Sequence, residues 1–196
     1  MRKLYLLCLL IVFTTVSSYS RISSGYIITK SGTRLTGFIG DLYFSDHKSE
    51  VVFINDFGTP YSFSPRLIDG FVFQNGSELV VYESKYARQN WMFLKIIAKG
   101  KGINLYQSPE EKVDMLVRGG QMVVQTRSHR EFWVENRGRN PQKVKRLGFR
   151  KQMRRLLKER APKLAKKIGS PGYKYRNLEK IIEEYNEICR ETRWRL

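Results

Sequence analysis

The chain has 196 residues, and 36 Lys and Arg against 18 Asp and Glu give it a formal net charge of +18. That length suits one domain able to bury a core unaided, and only two cysteines, Cys8 and Cys189, exclude a scaffold stapled by several disulfides. A surface this basic points to an anionic partner.

Arg2 and Lys3 precede a largely apolar run from Leu4 to Val16, thirteen residues long, and small polar residues follow. This is the order of a secretory signal peptide: basic, apolar, then a small-residue cleavage zone. The run falls short of the ~20 apolar residues that span a bilayer. Cleavage is expected after Ser20, with Ser18 as the alternative site and an uncleaved anchor as the alternative fate. Cys8 follows Leu6-Leu7 without a complete apolar region upstream, so it is not read as a lipidation site. Residues 1–20 are the expected leader, 21–136 a β-rich region and 137–196 a basic helical region.

Residues 25–135 read as short strands rich in Val, Ile, Phe and Tyr, separated by turn residues. Gly25 to Lys30 and Thr33 to Ile39 flank Ser31-Gly32, a tight-hairpin signal. Glu50 to Asn55 and Tyr61 to Ser64 flank a turn with Gly58. Arg66 to Gln74 and Glu78 to Ser84 flank Asn75-Gly76-Ser77. Trp91 to Ala98 and Gly102 to Gln107 flank Lys99-Gly100-Lys101. Val113 to Arg118 and Gln121 to Thr126 flank Gly119-Gly120, and Arg130 to Glu135 closes the series. No segment between them is long and helical enough for a parallel crossover, so the pairing is expected to be antiparallel. Sandwich, barrel and strongly curled sheet all remain open.

After Pro141 the period changes. Phe149, Met153, Leu156 and Leu157 share one helical face, and Arg150, Lys151, Arg154, Arg155 and Lys158 fall on the other. Ala161-Pro162 ends that helix or starts the next, and Gly169-Ser170-Pro171-Gly172 is a loop. Asn177 is placed to cap a last helix with an apolar stripe of Leu178, Ile181, Ile182, Tyr185, Ile188 and Cys189. The fold class expected is α+β: an antiparallel, sandwich- or barrel-like body with a C-terminal helical subdomain packed on it.

Charge is concentrated at the C-terminal end. Residues 21–126 carry a net +2 and residues 127–196 a net +14. Between Arg137 and Lys167 stand 14 Lys and Arg against one acid, Glu159. Such a face suits phosphates of lipopolysaccharide, acidic lipid or a polyanionic polysaccharide. The bland alternative is a solvated helix neutralised by Glu179, Glu183, Glu184, Glu187 and Glu191 of the last helix. Phe71-Val72-Phe73 lacks the rest of an RNA-recognition motif and reads as core, so nucleic acid is not an expected partner. His47 and His129 have no second ligand at metal spacing, and no Gly-x-Ser-x-Gly elbow occurs. No catalytic residue, metal or cofactor is assigned. Cys189, on the apolar side of its helix, reads as a buried inert thiol.

Gly25 to Gly32 with Thr36-Gly37-Phe38-Ile39, Tyr61 to Pro65 with Ile68 to Phe71, Phe93 to Ile97 with Gly100-Lys101 and Asn104-Leu105-Tyr106, and Tyr175 to Cys189 recur in an order that resembles a family of exported β-rich proteins of Bacteroidota. The resemblance implies export and no established activity. Members often carry a cysteine just before a proline ahead of the last helices. Ala161 stands there, before Pro162, so the resemblance supplies no disulfide partner for Cys189.

The expectation is an exported bacterial envelope protein, in the periplasm or envelope or else secreted, with no membrane span once the leader is removed. Its role is read as binding or structural, the basic helix meeting an anionic envelope component or protein. The alternatives are a protein–protein module using a sheet edge, and a hydrolase whose cleft would set His47 or His129 beside a carboxylate.

Overall fold

The structure, a computed structural model, describes residues 22–191 apart from 46–47, 119–120, 129 and 137; for 111–124, 126 and 127 it describes the backbone alone. The expected leader with Cys8, and both histidines, lie outside the described residues.

Short alternating segments form the strands. In β3 (Ser49–Ile54) Ser49, Val51 and Phe53 are buried and the residues between them half-buried, the period-two pattern of a pleated strand. The others are β1 (Ser23–Thr29), β2 (Arg34–Phe44), β4 (Pro60–Phe63), β5 (Ile68–Asn75), β6 (Glu78–Ala87), β7 (Asn90–Ala98), β8 (Ile103–Gln107), β9 (Glu111–Arg118), β10 (Gln121–Ser128), β11 (Phe132–Asn136) and β12 (Gln142–Lys143). β9 and β10 form a two-stranded hairpin of their own. The rest form one ten-stranded sheet in the order β12-β11-β8-β7-β6-β5-β1-β2-β3-β4, antiparallel at every pairing. Only β12 was not foreshadowed by alternation.

The sheet curls. Gly25 of β1 lies opposite Gly37 of β2, and a Cβ on either would press into a neighbouring backbone carbonyl, at 2.2 Å from Val72 O and 2.4 Å from Ile54 O. Strands this close bend where only glycine fits. The curl brings β3 back over β7, where Phe93 N donates to the buried Ser49 Oγ at 3.3 Å. Ile27, Ile39, Val51, Phe53, Phe71 and Phe93 fill the interior. Phe71 stacks on Tyr82 with centroids 4.8 Å apart and meets Phe93 edge-on at 5.0 Å. Such pairs add about 0.5–1.5 kcal/mol each beyond their burial. The end strands β4 and β12 do not pair with each other, so the body is a curled, barrel-like sheet with open ends.

Three helices follow: α1 (Phe149–Leu157), α2 (Pro162–Lys167) and α3 (Leu178–Glu191). Pro162 opens α2 at a position where its missing N–H is no loss. Phe149, Met153 and Leu157 of α1, Leu164 and Ala165 of α2, and Leu178, Ile181, Ile182 and Tyr185 of α3 pack with Ile103 and Leu105 of β8 and Phe132 and Val134 of β11. The helices therefore cover one face of the β8–β11 end of the sheet.

One expectation needs correction. Asn177 does not cap α3: its Oδ1 is buried without a hydrogen-bond partner. A 3-10 turn over Tyr175–Asn177 runs straight into the helix, so Asn177 is already helical and not in the extended geometry from which a cap side chain reaches back. The polar anchor of α3 is Asn186. Its Oδ1 accepts from Gly102 N at 3.2 Å and Ile103 N at 2.9 Å, and its Nδ2 donates to Ile103 O at 2.8 Å. Cys189 lies buried as a free thiol in the same seat. Burial first, and then Cys189 beside it, pushes the Tyr185 hydroxyl up to about 12.

Candidate anion-binding site

The five cations expected on one face of α1 divide in the structure. Arg154 turns toward α2 and donates from Nη2 to Lys166 O at 3.1 Å, while its Nε is buried without an acceptor. A cation on the last carbonyls of a helix complements the negative end of its dipole, so Arg154 ties α1 to α2. Arg150 lays its aliphatic stem beside Gly169, where a Cβ would meet its Cδ at 3.0 Å. Lys158 is exposed just past the helix end. Lys151 and Arg155 line a cleft of about 540 Å³ between α1, β12 and the β6–β7 turn.

Other parts of the chain complete that cleft. Gln152 clamps its wall: Nε2 donates to Lys143 O at 2.9 Å and Oε1 accepts from Lys145 N at 3.1 Å. Arg88 and Trp133 enter from the sheet. Arg88 and Gln89 both hold left-handed backbone, φ 51° and 66°, as a two-residue hairpin turn of this hand requires. The turn sets the Arg88 guanidinium over the Trp133 ring, 5.4 Å from its centroid, a cation–π contact. Trp133 is 2% exposed, and its Nε1 has no hydrogen-bond partner. Leu147, 92% exposed, stands at the cleft mouth.

Among the described residues no carboxylate lines the cleft. Lys143 pairs with Glu131; among the described residues Arg88, Lys145, Lys151 and Arg155 have no acidic partner. Nor does an acid of α3 pair with a cation of α1 among the described residues. Glu184 pairs with Lys167 of α2 at 3.1 Å, and Glu187 pairs with Arg190 on its own helix. Hydrogen bonding to Glu184 and Tyr173 holds the Lys167 ammonium above its usual range.

A second constellation lies on the sheet. Glu83 and Lys85 of β6, Asn104 and Tyr106 of β8, and Glu135 of β11 meet there. Lys85 Nζ lies 2.9 Å from Glu135 Oε1 and 3.2 Å from Glu83 Oε2. Asn104 Nδ2 donates to Glu135 Oε2 at 2.9 Å, and Lys99 pairs with Glu83. Tyr106 Oη stands 2.9 Å from Glu83 Oε2 and 2.8 Å from Glu135 Oε2, with one proton for the two acceptors.

Burial pushes both carboxyls up, but their partners outweigh it. Lys99, Lys85 and Tyr106 hold Glu83 below the usual carboxylate range, and Lys85, Asn104 and Tyr106 do the same for Glu135. Lys85 is held above its usual range because both carboxylates outweigh its own burial. Burial, then the same carboxylates, drives the Tyr106 hydroxyl far up. General acid–base catalysis wants a group that titrates near the working pH. Glu83, Lys85, Tyr106 and Glu135 are each driven away from it, and two carboxylates offset two ammoniums. This is a closed, neutral network that ties β6, β8 and β11 together. No alternation pattern marks it, because its members meet only through the strand order.

Among the described residues no group of three or more His, Cys, Asp or Glu is placed to hold a metal, and no helix is long and apolar enough to cross a membrane. Phe71 and Val72 lie in the core, so that aromatic strand offers no stacking platform. Comparison with protein-family models, with curated proteins and with solved structures found no match.

Proposed function

We propose that the chain is a non-catalytic binding or structural module of the bacterial envelope, exported on its leader, whose basic helical region takes an anionic surface or partner. The resemblance to exported proteins of Bacteroidota belongs to the same reading. The observation that carries it is the absence of acidic partners for the α1 cations among the described residues, although α3 places five glutamates on the same subdomain. A solvated basic helix tolerated for its fold alone would gain from those acids. Lipopolysaccharide, acidic lipid and acidic polysaccharide share the fixed anionic groups such a surface attracts.

Charge reversal at Lys151, Arg155 and Lys158 tests the reading, and leaves the Arg154 tie intact. Binding to anionic vesicles or lipopolysaccharide at low salt should be lost. Unchanged binding removes the proposal. Fractionation of native cells with N-terminal sequencing tests export; recovery of Met1 on a cytosolic protein removes that part.

A second reading has its own observation. β4 is an edge strand; Phe57 in the turn before it and Tyr61 within it are 93% and 46% exposed. Exposed aromatics along an unpaired edge suit strand addition by a protein partner. Capture that survives 1 M salt, where screening shortens to roughly 3 Å, favours this edge over the basic face.

A further inference from the structure

We propose that the cleft between the β6–β7 turn, β12 and α1 is a discrete receptor for a phosphate-bearing group, within the basic region whose anion-binding role is proposed above. It rests on that reading and sharpens it from a diffuse charged face to one seat with one ligand chemistry.

Four features converge there. Among the described residues, Arg88, Lys145, Lys151 and Arg155 line the cleft without acidic partners, and no carboxylate lines it. The cleft volume of about 540 Å³ lies within the roughly 300–1,000 Å³ of small-ligand sites. Gly148, on the cleft wall, is the cap of α1 and makes no side-chain cap bond, and the first turn of this nine-residue helix carries no acid. Phe149 N donates to Arg146 O at 3.4 Å, and the N–H groups that follow it, with the positive dipole end, face outward as in phosphate binding at helix starts. Independently, Trp133 lines the cleft, almost wholly buried, with an indole N–H that has no acceptor among the described residues. Leaving such a donor unpaired is costly, and an acceptor brought in by a ligand relieves that cost.

The donor set selects among anions. Two guanidiniums offer planar forks that match phosphate oxygens, and two ammoniums add point charge. Four positive charges against none of opposite sign favour a dianion or a pyrophosphate over a single carboxylate. Two sources present that chemistry, a soluble phosphate compound and a phospholipid or glycolipid headgroup. Exposed Leu147 at the mouth suits the latter.

The experiment uses the full mature chain and two probes at about 20 mM salt, where the Debye length exceeds 20 Å: inorganic pyrophosphate in calorimetry and phosphatidic-acid vesicles in sedimentation. The pair K151Q/R155Q removes two cleft charges, and R150Q/K158Q removes the same charge outside the cleft. The cleft pair should weaken at least one probe by about tenfold or more, and the outer pair should change it by about twofold at most. Weakening of both probes assigns free or lipid-borne phosphate; weakening of vesicles alone assigns the headgroup. Trp133→Phe, which keeps an apolar ring but removes the donor, should weaken the same probe by about fivefold. Equal losses in the two pairs overturn the discrete seat while the diffuse basic surface stands. Binding of neither probe by the unmodified chain overturns both.

Discussion

Replacing Asn186 by alanine removes all three hydrogen bonds that its side chain makes to the start of β8. Each is worth about 1 kcal/mol net, and a buried backbone group left unpaired costs about 1–3 kcal/mol. Gly102 and Ile103 are buried, so water replaces the lost partners poorly. The loss should be about 3–4 kcal/mol, a large part of the roughly 5–15 kcal/mol that holds a domain together. In urea, with a slope of about 2 kcal/mol/M, the unfolding midpoint should fall by about 1.5–2 M. A coupled test comes from Gly100, where a Cβ would sit 2.1 Å from Asn186 Cγ. Gly100→Ala should evict the amide and cost nearly as much as Asn186→Ala, and the double variant should cost little more than either alone. A midpoint shift equivalent to less than about 0.5 kcal/mol for Asn186→Ala, or strictly additive losses in the cycle, would refute the account of Asn186 as the polar anchor of α3.

Glu83 and Glu135 ionise more readily in the folded protein than the usual carboxyl value of 4.5. Their pairing therefore stabilises the fold above that pH and is lost as pH falls through their lowered values, since the unfolded state then binds more protons. Urea midpoints should decline below about pH 4.5, and a Glu83→Gln/Glu135→Gln variant should flatten that limb; an identical acid profile counts against the network. Gln89 holds a left-handed φ of 66°, so Gln89→Gly should raise stability by about 1 kcal/mol; a lower melting temperature contradicts the turn assignment. Cys189 is buried, so in a chain beginning at Arg21 a thiol reagent should label it only on unfolding. Rapid stoichiometric labelling of the native protein would show the seat of α3 to be open.

The strands were legible because each is short, alternates and is bounded by Gly, Pro, Asn or Ser, signals that act within a few residues. β12 was not, since two residues after Pro141 become a strand only by pairing with β11. The curl was out of reach for a related reason. Gly25 and Gly37 look like ordinary strand glycines until strand order sets them opposite one another. The α1 cations were legible as a face, because helical period alone groups them. Their division was not: Arg154 is taken by a carbonyl of the next helix, while Arg88 comes from the β6–β7 turn and Trp133 from β11. The turn at Arg88-Gln89 carries no turn-forming residue to announce it. The Glu83–Lys85–Tyr106–Glu135 network was silent for the same reason, since long-range register is not written in any local window.

The helical cover over β8 and β11 bears on the order in which the chain is made. Strands β1 to β7 find partners among themselves and can associate as they emerge. Ile103, Leu105, Phe132 and Val134 lack their full cover until α3, the last described element, has been synthesised. For that interval the nascent protein presents an oily, unfinished surface, the kind that chaperones hold and that aggregates when they do not. A chain interrupted before Leu178 should therefore clump or be degraded, not persist as a smaller working body.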